Sequence, residues 1–196
     1  MRRRLNDSAH DGSESMVNIM SSDIVASRTL EARSGRGAYQ RLVGRYRAAA
    51  DEFARAHGGT LLGSDGDAVY CAFGTSAGAW EASRLLLGWA AAPEQAVQLR
   101  IGIAAAPGAP QDLAHSARNL VEMGLRLLTH RLIPVQTWSD NRIARLASVV
   151  GPLAAATQLS RRAAPGEIRL SPAAEHGLGS REGEVRPAVT PAEPGQ

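Results

Sequence analysis

The sequence predicts an α+β fold: a ferredoxin-like βαββαβ core in which a mainly antiparallel sheet has helices packed on one face. Apolar residues repeat with helical spacing in some segments and alternate or run together, as strands require, in others. These segments follow one another as strand, helix, strand, strand, helix, strand, which is the order of that core. The chain has 196 residues, 44% of them hydrophobic, which is enough for one domain with a buried core.

The N-terminal part of the chain supplies the first strand and a long helix. Residues 1–15 are polar, with an Arg run and a Ser-rich acidic stretch, so we expect a disordered tail. A strand is predicted over residues 17–22. The helix that follows ends at Gly58-Gly59, a pair typical of a C-cap. Its apolar positions at helical spacing are Tyr39, Leu42, Val43, Tyr46, Ala50, Phe53 and Ala54.

A hairpin is predicted over residues 58–73. Two apolar runs flank Asp65-Gly66, the dipeptide preferred at the centre of a type I′ turn, where both residues need a positive φ. Asp67 then stands where the second strand leaves the turn. Asp-Gly-Asp is also common turn chemistry in hairpins without any active site. What favours a site here is Asp23, a second Asp at the end of the first predicted strand.

The rest of the chain alternates helices and strands. Ser76 is expected to cap a helix, and alternating apolar residues over 97–103 predict a half-buried strand. The tail from Pro172 is expected to be loose. Between them we predict a helix over 116–129, a strand over 132–138 that lies at an edge or bulge because of Pro134, a helix over 140–150 that stops at Gly151-Pro152, and a short strand over 167–170.

Composition argues against several classes of protein. No run of about 18 apolar residues is present, and the basic start is followed by polar residues instead of the apolar core of a signal peptide. The net charge of +3 is modest and only 4% of residues are aromatic, which argues against a nucleic-acid binder. The single cysteine, Cys71, is expected to be a core residue in a reducing compartment. We therefore expect a cytoplasmic protein with neither nucleic acid nor membrane as a partner.

Three segments carry a resemblance to one family. Residues 23–28, Asp-Ile-Val-Ala-Ser-Arg, are similar to the pattern Asp-Ile-Val-Gly-Ser-Thr, and residues 63–68, Gly-Ser-Asp-Gly-Asp-Ala, to Lys-Thr-x-Gly-Asp-Gly. Residues 100–103, Arg-Ile-Gly-Ile, are similar to an Arg-x-Gly-Ile/Leu strand. These patterns are those of the class III nucleotidyl cyclase catalytic domain, the adenylate and guanylate cyclases. The resemblance covers residues 16–186, which leaves tails at 1–15 and 187–196.

The resemblance implies a site for a metal–nucleoside triphosphate, either ATP or GTP, in cyclic-nucleotide signalling. Its metal, Mg²⁺ or Mn²⁺, would be held by Asp23, Asp67 and the carbonyl oxygen of Ile24, since Mg²⁺ prefers a few carboxylate oxygens together with water and phosphates. The remaining contacts implied for base, catalytic ribose and phosphate are Asp112, Asn119 and Arg100. Read without the resemblance, Asp23 and Asp67 are two solvated turn carboxylates.

Three positions depart from the family. The base-recognising Lys becomes Gly63, the Arg that meets the transition state falls on Met123, and the late phosphate-binding Lys falls on Ser171. An Arg that meets phosphoryl charge is worth about 10³–10⁵ in rate. We therefore expect weak synthesis of cyclic nucleotide, in a homodimer or in a heterodimer with another cyclase domain. The alternative is a catalytically silent dimerisation or regulatory module.

The positions of the catalytic Asn and Arg depend on how the family's third motif, Asp-x-x-Gly-x-x-Val-Asn-x-x-x-Arg-Leu, is aligned. The preferred register begins at Asp112 and puts Asn119 at the Asn position and Met123 at the Arg position. It is preferred because it needs no gap before the strand at 133–136. A second register matches Asn141 and Arg145 but leaves insertions on both sides. A third starts at Gly151-Pro152 and continues into residues 165–168.

Overall fold

The structure, a computed structural model, is centred on a five-stranded sheet. It describes residues 16–108 and 140–179, and for residues 140–149 it describes the backbone alone. The strand order is β2-β3-β1-β4-β5, and neighbours are antiparallel except β4 and β5, which are parallel. The predicted α+β fold with a mainly antiparallel sheet is thus confirmed. The strands are β1 (Met16–Ile24), β2 (Gly59–Asp65), β3 (Ala68–Phe73), β4 (Leu99–Pro107) and β5 (Ile168–Leu170).

Helices connect these strands. The segment between β1 and β2 contains two helices, because Gly35 at φ 80° separates them, where one long helix was predicted. The second ends at Ala56, and Gly58 at φ 72° follows in the predicted C-terminal position. The helices, in order, are α1 (Ser27–Ser34), α2 (Arg36–Ala56), α3 (Ser76–Ala91), α4 (Asp140–Arg162) and α5 (Pro172–Leu178). None of the described helices is both long and apolar enough to cross a membrane.

The sheet has a packed core on each face. On one face, Met20 and Ile24 of β1 join the buried residues of α2 and α3, including Tyr46, whose ring stacks on Trp89 with centroids 6.0 Å apart. On the other face, alternate residues of β1 join Leu153 and Ala156 of α4. The structure thus places α2 and α3 on one face, as predicted, and adds α4 on the second.

Gly102 of β4 allows α4 to lie directly on the sheet. A Cβ at this position would collide with the carbonyl oxygen of Ala156 and the backbone nitrogen of Ser160. Only glycine therefore permits this approach of helix to strand. The neighbouring Ile101 and Ile103 are buried in the core on the opposite face of the sheet.

The predicted end of the helix at Gly151-Pro152 is wrong, since α4 continues through Pro152 to Arg162. A proline inside a helix costs about 3 kcal/mol. Leu153 and Ala156 lie beyond it and are fully buried against the sheet, and burial of this kind offsets the cost. The segment after Pro172 is a short helix, where a loose tail was predicted. The predicted helix over 116–129 and strand over 132–138 lie outside the described residues.

Candidate functional site

Asp23 lies near the end of β1, directly opposite Arg100 of β4. The two side chains form a two-pronged ion pair: Arg100 Nε donates to Asp23 Oδ1 at 3.1 Å and Nη2 to Oδ2 at 2.9 Å. Both are partly shielded, with 29% of the Arg100 side chain and 21% of the Asp23 side chain exposed. The predicted metal ligand and the predicted phosphate contact therefore touch each other in the structure.

Asp67 lies in the turn between β2 and β3. Asp65 pairs with Ala68, so the two loop residues are Gly66 and Asp67, and of these only Gly66 has a positive φ, 58°. That is the pattern of a type II′ turn, and the predicted type I′ turn centred on Asp65-Gly66 is wrong. The reason is a register shift between Leu61 and Gly63, which extends the ladder by one residue.

The two aspartates line one open cleft of about 390 Å³, at the edge of the sheet where β1 ends. Ile24 also lines it, and because the Ile24 side chain is buried in the core, its backbone is what a ligand can reach. The structure thus brings together four of the predicted site residues. Among the described residues, those that line the cleft are Asp23, Ile24, Ala26, Ser27, Arg28, Thr29, Asp67 and Arg100.

The first turn of α1 forms one wall of the cleft. Its N-cap is Ala26, in the left-handed conformation at φ 53°, and no side chain caps the helix. The N–H groups at the start of a helix have no partner inside the helix and carry partial positive charge. Arg28 adds a full positive charge in the same turn. Arg28 was not predicted from the sequence as a site residue, because it stands where the family pattern has Thr.

The electrostatics of the cleft reflect two carboxylates held close to a hydrophobic core. Burial raises the pKa of Asp23, the hydrogen bond and charge of Arg100 oppose this, and the negative charge of Asp67 raises it further. Burial and the charge of Asp67 also raise the pKa of Tyr39, and the nearby Ser27 side chain opposes this rise. Tyr39 was predicted only as an apolar position of a helix, and it stands beside the site.

Two carboxylates and one backbone carbonyl are a small ligand set. Among the described residues no group of three or more His, Cys, Asp and Glu side chains could hold a metal. Mg²⁺ is commonly bound by one or two carboxylates, with water and substrate phosphates completing the octahedron. Asp23, Asp67 and Ile24 therefore fit a cation that arrives with phosphate.

The other predicted positions are only partly described. Gly63 lies in β2 opposite Tyr70 and has no side chain to read a base. The Ser171 hydroxyl caps α5: its Oγ accepts from Ala174 N at 3.3 Å and from Ala105 N at 3.2 Å. This serine has a structural role where the family has a phosphate-binding Lys. Asp112, Asn119 and Met123 lie outside the described residues, and the side chains of Asn141 and Arg145 are not described either.

The third register of the catalytic motif coincides with a packed helix–strand unit. From Gly151, α4 continues to Arg162, and a turn at residues 163–167 leads directly to β5. Counting the motif from Gly151 places Ala155 at the Asn position and Leu159 at the Arg position. Both pack against the core on the α4 face of the sheet. In this register apolar side chains replace both donors of the family pattern, whereas the register from Asp112 keeps an amide at Asn119.

Comparison with known proteins shows likeness at the level of structure. No protein-family model and no curated protein matches the sequence. The fold is similar to a rhodopsin-guanylyl cyclase catalytic core with converted specificity in complex with ATPαS, at 15% identity and a TM-score of 0.59, over 85% of this chain and 83% of that one.

Two further solved structures are similar to this chain in fold. The guanylate cyclase domain of RhGC from Catenaria anguillulae, in complex with GTP, aligns with 13% identity and a TM-score of 0.56 over 85% of this chain and 84% of that one. The adenylyl cyclase CyaB from P. aeruginosa aligns with 16% identity and a TM-score of 0.57 over 84% and 80%. The chain therefore has the fold of guanylyl and adenylyl cyclase catalytic domains.

Proposed function

We propose that this chain is a class III nucleotidyl cyclase-like domain that binds a metal–nucleoside triphosphate in the cleft between β1, α1 and the β2–β3 turn. The observation that carries the proposal is the meeting of Asp23 and Asp67 with the uncapped start of α1 in one cleft. Carboxylates attract the cation, and a helix N-terminus attracts phosphate. The likeness to cyclase domains solved with GTP and with ATPαS supports the same ligand class.

In this proposal Asp23, Asp67 and the Ile24 carbonyl hold Mg²⁺ or Mn²⁺. The bound ion would stabilise negative charge on the attacking 3′-oxygen and help to hold the triphosphate. The N–H groups at the start of α1 and the guanidiniums of Arg28 and Arg100 would take the terminal phosphates, since charge-assisted hydrogen bonds to phosphate are strong. Asp112 and Asn119 stay predicted contacts for base and ribose.

Synthesis of cyclic nucleotide is expected to be weak. Gly63 of β2 has no side chain that could donate to a base, and the Ser171 hydroxyl is engaged in capping α5. In the registers that put Met123 or Leu159 at the Arg position, that side chain supplies no charge to the transition state. Loss of one preorganised donor costs about 10²–10³ in rate. Binding depends on Asp23 and Asp67 and does not require the missing donors.

The test is equilibrium binding of ATP and GTP with Mn²⁺ by calorimetry. Asp67→Asn should weaken binding at least about tenfold, because a carboxylate metal ligand is lost. Asp65→Asn is the matched control: Asp65 is exposed in the same hairpin but does not line the cleft, so its affinity should stay within about twofold. Equal binding by the wild type and Asp67→Asn, or no binding by either, would overturn the proposal.

The second candidate is a catalytically silent dimerisation or regulatory module. It is favoured by two apolar residues of α4 that stand at the donor positions in the register from Gly151: Ala155 and Leu159 are partly buried and pack against the core. We also propose that residues 16–186 form one domain and that the protein is cytoplasmic. In this proposal the domain forms a homodimer, or a heterodimer with another cyclase domain. Sedimentation of the chain alone and mixed with an active cyclase domain would separate these arrangements. A silent module would alter the partner's rate without binding nucleotide itself.

A further inference from the structure

We infer that the cleft accepts a divalent cation only together with a polyphosphate, and that Arg100 imposes this selectivity by exchanging Asp23 for phosphate. The inference rests on the proposed function and specifies its ligand: the metal–polyphosphate complex, with little affinity for the free ion. Three properties of the described cleft support it, namely the geometry of the Asp23–Arg100 pair, the balance of charges, and the state of Arg28.

The geometry of the ion pair leaves Asp23 occupied. Arg100 Nε and Nη2 each hold one carboxylate oxygen, at 3.1 and 2.9 Å. Asp23 and Arg100 are Cα partners on adjacent strands, so the pair is set by the sheet and not by a flexible loop. A cation that ligates Asp23 has to displace at least one of these donors. For a free ion, that displacement leaves the guanidinium without its partner beside a second positive charge.

The charges that line the cleft balance one another. Two carboxylates, Asp23 and Asp67, face two guanidiniums, Arg28 and Arg100, so their formal charges sum to zero. Arg161 at the end of α4 adds a further positive influence on Asp23. A free divalent cation therefore meets no net negative charge among the described residues of the cleft. A metal–triphosphate complex is an anion, which the guanidiniums attract while the carboxylates ligate its metal.

Phosphate can replace the Asp23 carboxylate as the hydrogen-bonding partner of Arg100. A guanidinium binds phosphate oxygens with the same two-pronged geometry that it uses for a carboxylate. Arg100 can therefore leave Asp23 for a phosphate without being left unpaired, and Asp23 becomes available to the metal in the same step. Arg28 has no hydrogen bond or ion pair within residues 16–108 and 150–179, so it is ready to take a second phosphate. Cation and polyphosphate thus bind with positive coupling.

The experiment measures Mn²⁺ binding by electron paramagnetic resonance, with and without 3′-deoxy-ATP or 3′-deoxy-GTP, which lack the attacking hydroxyl. Wild-type protein should bind Mn²⁺ alone weakly and at least about tenfold more tightly with the nucleotide, in line with a typical coupling of 1–3 kcal/mol. Arg100→Gln should bind free Mn²⁺ about fivefold more tightly, since a partly exposed pair is worth about 1 kcal/mol. The same variant should bind the Mn²⁺–nucleotide complex about tenfold more weakly.

Arg169→Gln is the matched control, because Arg169 lies on the neighbouring strand β5 and pairs with Glu167 at 2.9 Å outside the cleft. It should change neither affinity. If Mn²⁺–nucleotide binds the wild type but Arg100→Gln does not gain affinity for free Mn²⁺, the exchange by Arg100 is wrong and the proposed function stands. If the wild type binds no Mn²⁺–nucleotide at all, the proposed function fails and this inference fails with it.

Discussion

The guanidinium of Arg47 in α2 donates from Nη2 to the carbonyl oxygen of Gly66 at 2.6 Å. This bond joins the helix to the peptide that precedes Asp67, so a side chain far from Asp67 in sequence fixes the turn that carries it. The neighbouring Nε of Arg47 is buried and has no hydrogen-bond partner among the described residues. Arg47 is therefore a positioning residue for Asp67, and it holds the turn although its own buried Nε–H lacks a hydrogen-bond acceptor there.

We expect Arg47→Ala to weaken Mn²⁺–nucleotide binding about fivefold, because the Asp67 carboxylate becomes less well placed when a hydrogen bond worth about 1 kcal/mol is lost. Calorimetry with the unfolding free energy measured in parallel checks this. Arg45→Ala is the control: Arg45 lies on the same helix and binds Gln95 Oε1 with Nε at 3.2 Å and Nη2 at 3.0 Å, away from the turn. Equal losses of nucleotide affinity in both variants would contradict the role of Arg47.

The sequence predicted the strands among the described residues, and the place of Asp23 in β1, because short-range chemistry determines them. Apolar alternation gave β4, and the motif at residues 23–28 placed Asp23 at the end of β1. Long-range contacts were not predictable in the same way. The pairing of Arg100 with Asp23 depends on which strands are neighbours, and the length of α4 depends on burial against the sheet, which outweighs Pro152. No local pattern encodes either contact.

Gly102→Ala should lower the free energy of unfolding by about 1–3 kcal/mol, the usual cost of overpacking a well-packed core. The added Cβ would meet the α4 backbone at Ala156 and Ser160. Urea unfolding followed by circular dichroism measures the change. Gly44→Ala is the matched control in α2, where nothing lies within 4 Å of the new Cβ. It should stabilise by about 0.5–1 kcal/mol through helix propensity, and a destabilisation equal to that of Gly102→Ala would refute the close approach of α4.

The Cys71 thiol should not react with iodoacetamide at pH 8 until the protein unfolds. Cys71 is fully buried in β3, and burial, with a smaller contribution from the charge of Asp51, raises its thiol pKa far above the usual 9.0. Mass spectrometry of alkylated protein along a urea series checks this. Alkylation that precedes the loss of circular dichroism would show that the thiol is accessible in the folded chain.

The same pKa shift makes stability depend on pH. Above pH 9.0 the unfolded thiol loses its proton while the folded one keeps it, so the unfolded state binds fewer protons and the unfolding free energy falls as pH rises. The stability that the raised thiol pKa contributes is fully present below pH 9.0. Between about pH 9 and 10, before tyrosines ionise, the fall should be shallower in Cys71→Ala than in the wild type. Equal slopes would show that the folded thiol ionises normally.

The three registers of the catalytic motif differ in the residue that stands where a cyclase has its transition-state Arg. In the preferred register this is Met123 and in the register from Gly151 it is Leu159, and in both the wild type should make little cyclic nucleotide. An Arg that meets phosphoryl charge adds about 10³–10⁵ in rate, so only the substitution at the correct position should raise activity. Met123→Arg and Leu159→Arg therefore distinguish these two registers by measured cyclic AMP and cyclic GMP. The register at Asn141 and Arg145 makes the opposite prediction: strong wild-type activity that Arg145→Ala abolishes, with no gain from either added Arg.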